Sequence, residues 1–268
     1  ADVYPRDLQI EKYFIGYLLH PYISMYTGHG CPAQCTFCLW PQTIGGHKYR
    51  VRSPQNVADE MAYMKKIFPQ VREFFFDDDT FTANLPRARE IAKKLAPLGV
   101  HWSCNSRANL DYDTIKSFKD NGLRLFLVGY ESGNDETLTR IKKGVTTQEM
   151  RKFTKACHDA NVVIHGTFIL GLPVETRETI EQTINFAKDL DVFSLQVSLA
   201  APYVDKRPHG ETIAEIVASV PSLPAGFAEH GVVCVNGIEV PREMWRAVRP
   251  KPNLIDRPLA DQVSSFPY

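Results

Sequence analysis

Short apolar runs that alternate with amphipathic stretches narrow the fold of this chain more than any other feature. The runs at 22–27, 72–77, 100–105, 123–129, 162–170 and 193–199 have the length and side-chain content of strands. Between them lie stretches with recognisable helix starts. Ser53 precedes Pro54, a capping residue before a proline at the first helical position. Val57, Met61, Met64 and Phe68 then recur at helical spacing. Asn84 with Pro86, Asp111, Thr146 with Glu149 as a capping box, and Thr176 open the later helices. Repeated strand–helix units imply a parallel sheet, and right-handed crossovers curl it one way. The expected fold is α/β, a partial (β/α)6 TIM-like barrel open on one side; an open doubly wound sheet shares the local pattern.

In either architecture, chemistry belongs at the carboxyl ends of the strands. Polar or glycine-rich clusters do follow the runs: a cysteine-rich loop, then Asp77-Asp78-Asp79, Asn105-Ser106-Arg107, Glu131-Ser132-Gly133, Gly171-Leu172-Pro173 and Ala201-Pro202-Tyr203. One rim thus collects nearly all the reactive side chains, as an active-site mouth would. Other classes are disfavoured by composition. The 31 basic residues balance 31 acidic ones and form no stripe, so a nucleic-acid partner is not indicated. No run approaches the ~20 apolar residues of a membrane span, and no signal peptide is visible. Six cysteines in 268 residues, three of them clustered, do not make a secreted disulfide framework. A reducing, cytoplasmic setting is expected.

The cluster is Cys31-x3-Cys35-x2-Cys38, in a loop just after the first run. A structural zinc site wants four ligands in two close pairs, and no second pair occurs. A disulfide would leave one thiol over, and incidental core cysteines would not be set among Gly30 and Pro32. A [4Fe–4S] cluster is the remaining reading, since thiolates are its usual ligands. Three of them leave one iron open to a small molecule bearing an amine and a carboxylate. Cys104, Cys157 and Cys234 are the candidates for a fourth ligand, although packing accounts for them better.

Cys-x3-Cys-x-Phe-Cys, with Phe37 before the last cysteine, resembles the radical S-adenosylmethionine (SAM) enzymes. The resemblance covers about residues 22–202. "RVRSPQNVADE", "FDDDTF", "VGYESG", "IKKG" and "GTFILGLP" resemble the branch that carries an upstream cobalamin-binding domain. "CTFCLWPQTIGGH", "WSCN" and "HGTFILGLP" are similar to the radical SAM enzymes of hopanoid biosynthesis. The resemblance implies that Cys31, Cys35 and Cys38 hold the cluster and that SAM is cleaved reductively to a 5′-deoxyadenosyl radical. It implies that Asp78 and Asp79 meet the SAM amine, although carboxylates after a strand also cap helices. Glu131 and Ser132 would line the SAM pocket or merely form a polar turn. Arg107 would pair with the SAM carboxylate or with a neighbouring aspartate. Gly166, Ile169 and Gly171 would let backbone approach the adenine, or serve strand packing. His47 covers the cluster loop or meets substrate on this reading, whereas His165, inside an apolar run, reads as a core histidine. Arg50 and Arg52 read as anchors, and Tyr22 and Tyr130 as packing residues or donors in the mouth.

Residues 1–20 read as a lead-in from something upstream, 21–202 as the core, and 203–268 as an irregular tail holding eight of the 18 prolines. A short helical stretch is expected at 213–220. Family members continue "APYPGT" where this chain has "APYVDKRPHG", which a shifted reading frame or chimeric gene would explain. No Asp-x-His-x-x-Gly segment of the cobalamin-binding kind occurs, so cobalamin would come from an upstream domain. Three functions follow as expectations. The first is a radical SAM enzyme acting on a hopanoid side chain, forming a cyclitol ether head group, with peripheral membrane association. The second is another cobalamin-type reaction such as C-methylation. The third is a non-enzymatic iron–sulfur carrier or structural metal module. Either enzyme would take a lipid or small-molecule substrate and a reductase or flavodoxin-type electron donor.

Overall fold

In the computed structural model, which describes residues 7–43, 45–173, 175–200 and 233–235, the six expected strands lie side by side in chain order. The strands are β1 (Tyr22–Met25), β2 (Gly28–His29), β3 (Arg50–Val51), β4 (Glu73–Phe76), β5 (Trp102–Ser106), β6 (Leu123–Glu131), β7 (Val163–Leu170), β8 (Ser194–Leu199) and β9 (Val233–Val235). The main sheet runs β1-β4-β5-β6-β7-β8, all parallel, and β9 adds to β8 antiparallel. A doubly wound sheet reverses its strand order at a switch point. This one never does, so it curls into the half-barrel. The short β2–β3 ribbon stands apart and brackets the cysteine loop. No pattern in the sequence announced it, because two residues per strand carry no periodicity.

The helices are α1 (Trp40–Thr43), α2 (Pro54–Ile67), α3 (Leu85–Leu95), α4 (Tyr112–Asp120), α5 (Asp135–Arg140), α6 (Thr147–Asp159) and α7 (Arg177–Leu190). The expected caps all form. Ser53, Asn84, Asp111, Thr146 and Thr176 each accept a bond from the backbone N–H three residues on. Each such cap contributes about 1 kcal/mol. The short α5, capped by Asn134, was not foreseen.

Between sheet and helices runs a continuous aromatic seam. Ring centroids are 5.6 Å apart for Phe76–Trp102, 5.7 Å for Trp102–Phe118 and 5.7 Å for Phe126–Phe153. Strand alternation therefore fixes the other face. With Phe74, Phe76, Trp102 and Cys104 turned to the helices, Glu73, Phe75, Ser103 and Asn105 turn to the concave side.

The lead-in segment closes the lower end of this concave side. Ile10 and Leu18 are buried. The Leu19 N–H donates to Glu73 at 2.6 Å, and Arg124 donates to the Tyr17 carbonyl at 2.6 Å. Arg124 also pairs with Glu73 at 2.8 Å, and Ser103 Oγ donates to the same carboxylate, so this wholly buried charge is fully partnered. Of the tail, only Val233–Val235 is described; the helical stretch expected at 213–220 lies outside the described residues.

Candidate functional site

The loop that carries the cysteines is held by the second strand-end cluster. Asp78 is completely buried and accepts three bonds: from Thr27 N–H and Thr27 Oγ1 at 2.6 Å each, and from Tyr49 OH at 2.9 Å. Burial and then the Asp78 charge push the Tyr49 phenol well above its ordinary range. Arg87 completes the anchor, donating to the carbonyls of Thr27 at 2.7 Å and Arg52 at 3.0 Å. One residue on, Asp79 accepts from Gly30 N–H at 2.8 Å. Glycine is required where these segments meet. Gly30 has φ +93°, and a Cβ there would lie 2.3 Å from the Lys48 carbonyl; one on Gly45 would lie 2.5 Å from Asp79. The Cys31 N–H then donates to the Gly46 carbonyl at 3.1 Å.

Cys31, Cys35 and Cys38 are all half-buried, and none is in a disulfide. Cys31 Sγ lies 3.4 Å from Thr80 Oγ1, and Arg107 Nη1 donates to Cys35 Sγ at 3.7 Å. Burial pushes the Cys38 thiol up against an opposing bond with the Trp40 backbone, and Cys35, Cys31 and Asp79 add smaller contributions. His47 covers the loop, its Nδ1 3.3 Å from the Cys31 carbonyl. Among the described residues, no three His, Cys, Asp or Glu side chains converge on a point that a single ion would fill. Thiolates are the usual ligands of an iron–sulfur cluster, and three thiols on one loop are a donor set whose chemistry would suit one. Cys104 and Cys157 are buried in the helix-side core, where desolvation raises both thiols. Cys234 lies on β9.

The other strand ends converge on the same rim. Arg107 follows β5 and also donates to the Lys143 carbonyl. Glu131 ends β6 and pairs with Lys143 Nζ at 2.9 Å. Ser132 is buried, sharing a 3.1 Å bond with Thr183 Oγ1 and accepting from Asn134 N–H. Gly171, with φ +84°, and Leu172 direct their N–H groups at Glu175, and Ile169 is half-buried just before them. Glu175 is pushed up by burial against these bonds. Below the rim, the first aspartate of the run, Asp77, faces the concave side. It accepts from Tyr26 OH at 3.2 Å and is raised chiefly by desolvation.

Two assignments read differently here than in the sequence. Asp78 is wholly buried and accepts from Thr27 and Tyr49, whereas Asp79, the other aspartate expected at the SAM amine, is only half-buried and bonds Gly30 N–H. Gly166 opens toward the helix layer, where a Cβ would meet the Tyr130 ring at 3.2 Å. Tyr130 is itself buried there, bonded to Thr154 Oγ1 at 2.6 Å. Lys143, Thr80, Tyr49 and Arg87 were missed as site residues. Lys143 stood in a recognised segment, "IKKG", yet nothing in sequence shows that a lysine is buried.

The Radical SAM superfamily profile matches residues 25–187 of the chain. An uncharacterised methyltransferase of Pyrococcus horikoshii is 34% identical over 190 residues, covering 70% of this chain and 41% of that protein. A hopanoid C-3 methylase of Methylococcus capsulatus is 28% identical over 142 residues, covering 51% of this chain and 26% of the methylase. Among solved structures, the radical S-adenosylmethionine methyltransferase TsrM from Kitasatospora setae, with cobalamin and a [4Fe-4S] cluster bound, superposes with a TM-score of 0.60. That match has 19% identity and covers 66% of this chain and 34% of TsrM, a likeness of fold. The chain spans less than half the length of each of these relatives.

Proposed function

The chain belongs to the radical SAM superfamily, and from that membership we propose that it is the radical-generating core of a cobalamin-type C-methyltransferase. The observation that carries the reading is the loop of three half-buried thiols, none in a disulfide, that follows the first strand of the parallel sheet. Cys31, Cys35 and Cys38 would hold the [4Fe–4S] cluster. When bound, the cluster supplies one electron to the sulfonium of SAM, the hard step that protein side chains cannot perform.

This chain's own residues bind, orient and shield. Asp79 would receive the SAM amine. Arg107, a guanidinium with more donors than its two observed bonds use, would meet the carboxylate. Ser132 and the backbone from Ile169 to Gly171 would flank the nucleoside, with Glu131 held back by Lys143. The lead-in segment, tied to Glu73 and Arg124, would help to shield the lower end of the concave side from water.

Methyl transfer is favoured over other radical chemistry because the Pyrococcus relative and TsrM are both described as methyltransferases. Cobalamin would be carried by a part of the protein that this chain does not span. A hopanoid substrate is supported by the Methylococcus methylase and by the "HGTFILGLP" and "WSCN" segments. The same segments support a second reading, cyclitol ether formation on a hopanoid side chain. A flavodoxin-type reductase would supply electrons and a lipid substrate would bring the protein to a membrane surface; among the described residues no helix is long and apolar enough to cross one.

Anaerobically reconstituted protein, supplied with reductant, SAM, methylcobalamin and a hopanoid, tests the proposal. Release of 5′-deoxyadenosine with a methylated product supports it, and Cys35→Ala should abolish both. A cyclitol ether product without an added methyl group would replace it with the second reading. Iron uptake without SAM cleavage would overturn both in favour of an electron carrier.

A further inference from the structure

We propose that Lys143 and Glu131 form a buried ionic latch that seats the cysteine loop and tunes the charge felt by the cluster; the role rests on the cluster assignment above. The latch begins with a strained residue. Glu131 adopts φ +67°, the left-handed region, at the register shift between β6 and β7. A non-glycine residue held there costs of order 1 kcal/mol or more and persists where its surroundings over-determine it. Here its carboxylate meets Lys143 Nζ at 2.9 Å, with the two side chains only 9% and 7% exposed. The pair fills the space above Gly129: a Cβ there would lie 2.1 Å from Glu131 Oε1 and 3.0 Å from Lys143 Nζ. A buried ion pair contributes little net stability, and apolar residues of similar volume often serve better. Strain, burial and a reserved glycine thus converge on a pair that stability alone does not call for.

What the pair does reach is the cysteine loop. Lys143 Nζ lies 6.0 Å from the centre of the Phe37 ring, between Cys35 and Cys38 in sequence. The Lys143 carbonyl accepts from Arg107, whose other Nη donates to Cys35 Sγ. Two residues earlier, the Ile141 carbonyl accepts from Thr36 N–H at 3.0 Å. The 141–143 segment therefore grips the loop at residues 35, 36 and 37. The positive end of the pair faces that loop, and the negative end is tied to the strand. Reduction adds one negative charge to a cluster, so a nearby cation favours the reduced form and a nearby anion opposes it.

Charge and mere packing give different signatures. Glu131→Gln leaves Lys143 uncompensated and should move the one-electron midpoint of the reconstituted cluster to more positive potential. Lys143→Gln leaves Glu131 uncompensated and should move it to more negative potential. Each shift should reach a tenfold change in the one-electron equilibrium, about 59 mV, while Lys143→Arg keeps the wild-type value. The full chain would be reconstituted anaerobically without SAM. Iron and sulfide per chain, circular dichroism and an EPR-monitored redox titration would be recorded for each variant. Opposite shifts support the latch. Midpoints that stay at the wild-type value, or move in the same direction, overturn it. If Lys143→Gln fails to fold, Glu131→Gln decides against Lys143→Arg, and an unshifted Glu131→Gln midpoint overturns the proposal. A wild-type chain that takes up no iron overturns the cluster assignment itself, a result distinct from unshifted midpoints.

Discussion

Asp77, Asp78 and Asp79 are consecutive, yet the fold gives each a different environment. Asp77 faces the concave side with one Tyr26 bond, Asp78 is buried under three donors, and Asp79 fixes Gly30 at the rim. Their clustering after a strand was legible in sequence; the division of labour was not, because donors such as Thr27 and Tyr49 come from distant parts of the chain. Substitution should separate them. Asp78→Ala removes the acceptor of the Thr27 N–H and hydroxyl, and a buried unsatisfied group costs about 1–3 kcal/mol. Urea denaturation should therefore show a loss of about 2 kcal/mol or more, together with reduced iron uptake. Asp77→Asn should behave differently. Desolvation raises the Asp77 carboxyl, so its charged form is disfavoured in the folded protein, and a neutral isostere removes that penalty. Its stability should match or exceed wild type, and a large loss there would contradict the assignment of Asp78 as the anchor.

Among the elements, the strands and long helices were legible because periodicity and caps are local properties. The β2–β3 ribbon and α5 were not, since tertiary contacts create them. The lead-in segment belongs with the second group. It read as a linker, yet Tyr17 stacks on His165 with ring centres 3.9 Å apart. His165 Nδ1 lies 2.8 Å from Ser194 Oγ, while Nε2 is buried without a partner among the described residues. Desolvation lowers the imidazole to about 4. The unfolded chain, near 6.5, then binds the proton that the folded chain refuses. This contribution to stability is fully present above pH 6.5 and is lost as pH falls toward about 4. Its slope is at most about 1.4 kcal/mol per pH unit. Urea unfolding between pH 7 and pH 4.5 should show a shallower acid loss in His165→Phe than in wild type. Tyr17→Ala, which uncovers the imidazole, should also flatten the slope while lowering stability at pH 7. Parallel curves for all three proteins would refute the stacking account.

At the scale of the whole molecule, strand order decides what the fold can do. Six parallel strands in unbroken chain order bring every carboxyl end to one rim, and the antiparallel β9 follows β8 at the far edge. Sequence reasoning reached the rim because polar clusters follow the strands at regular intervals. It left the barrel and the doubly wound sheet open, because both share the same local pattern and differ only in pairing order. On the proposed reading, a rim assembled from several strands and the cysteine loop makes cofactor binding conditional. The cysteine loop would hold the cluster, the remaining strand ends would supply contacts to SAM, and neither group would suffice alone. A ligand that binds only the folded, loaded state stabilises it by mass action, about 2.7 kcal/mol at one hundred times its dissociation constant. SAM should therefore raise the thermal midpoint of the reconstituted protein under anaerobic conditions. It should leave the cluster-free protein and Cys35→Ala essentially unmoved. If Asp79 meets the amine as proposed, Asp79→Ala should keep its iron and lose most of the SAM-dependent shift, because the aspartate would then serve the amine rather than the metal. Equal shifts with and without the cluster would place the SAM site away from the cysteine loop, and the reading of this rim would fall.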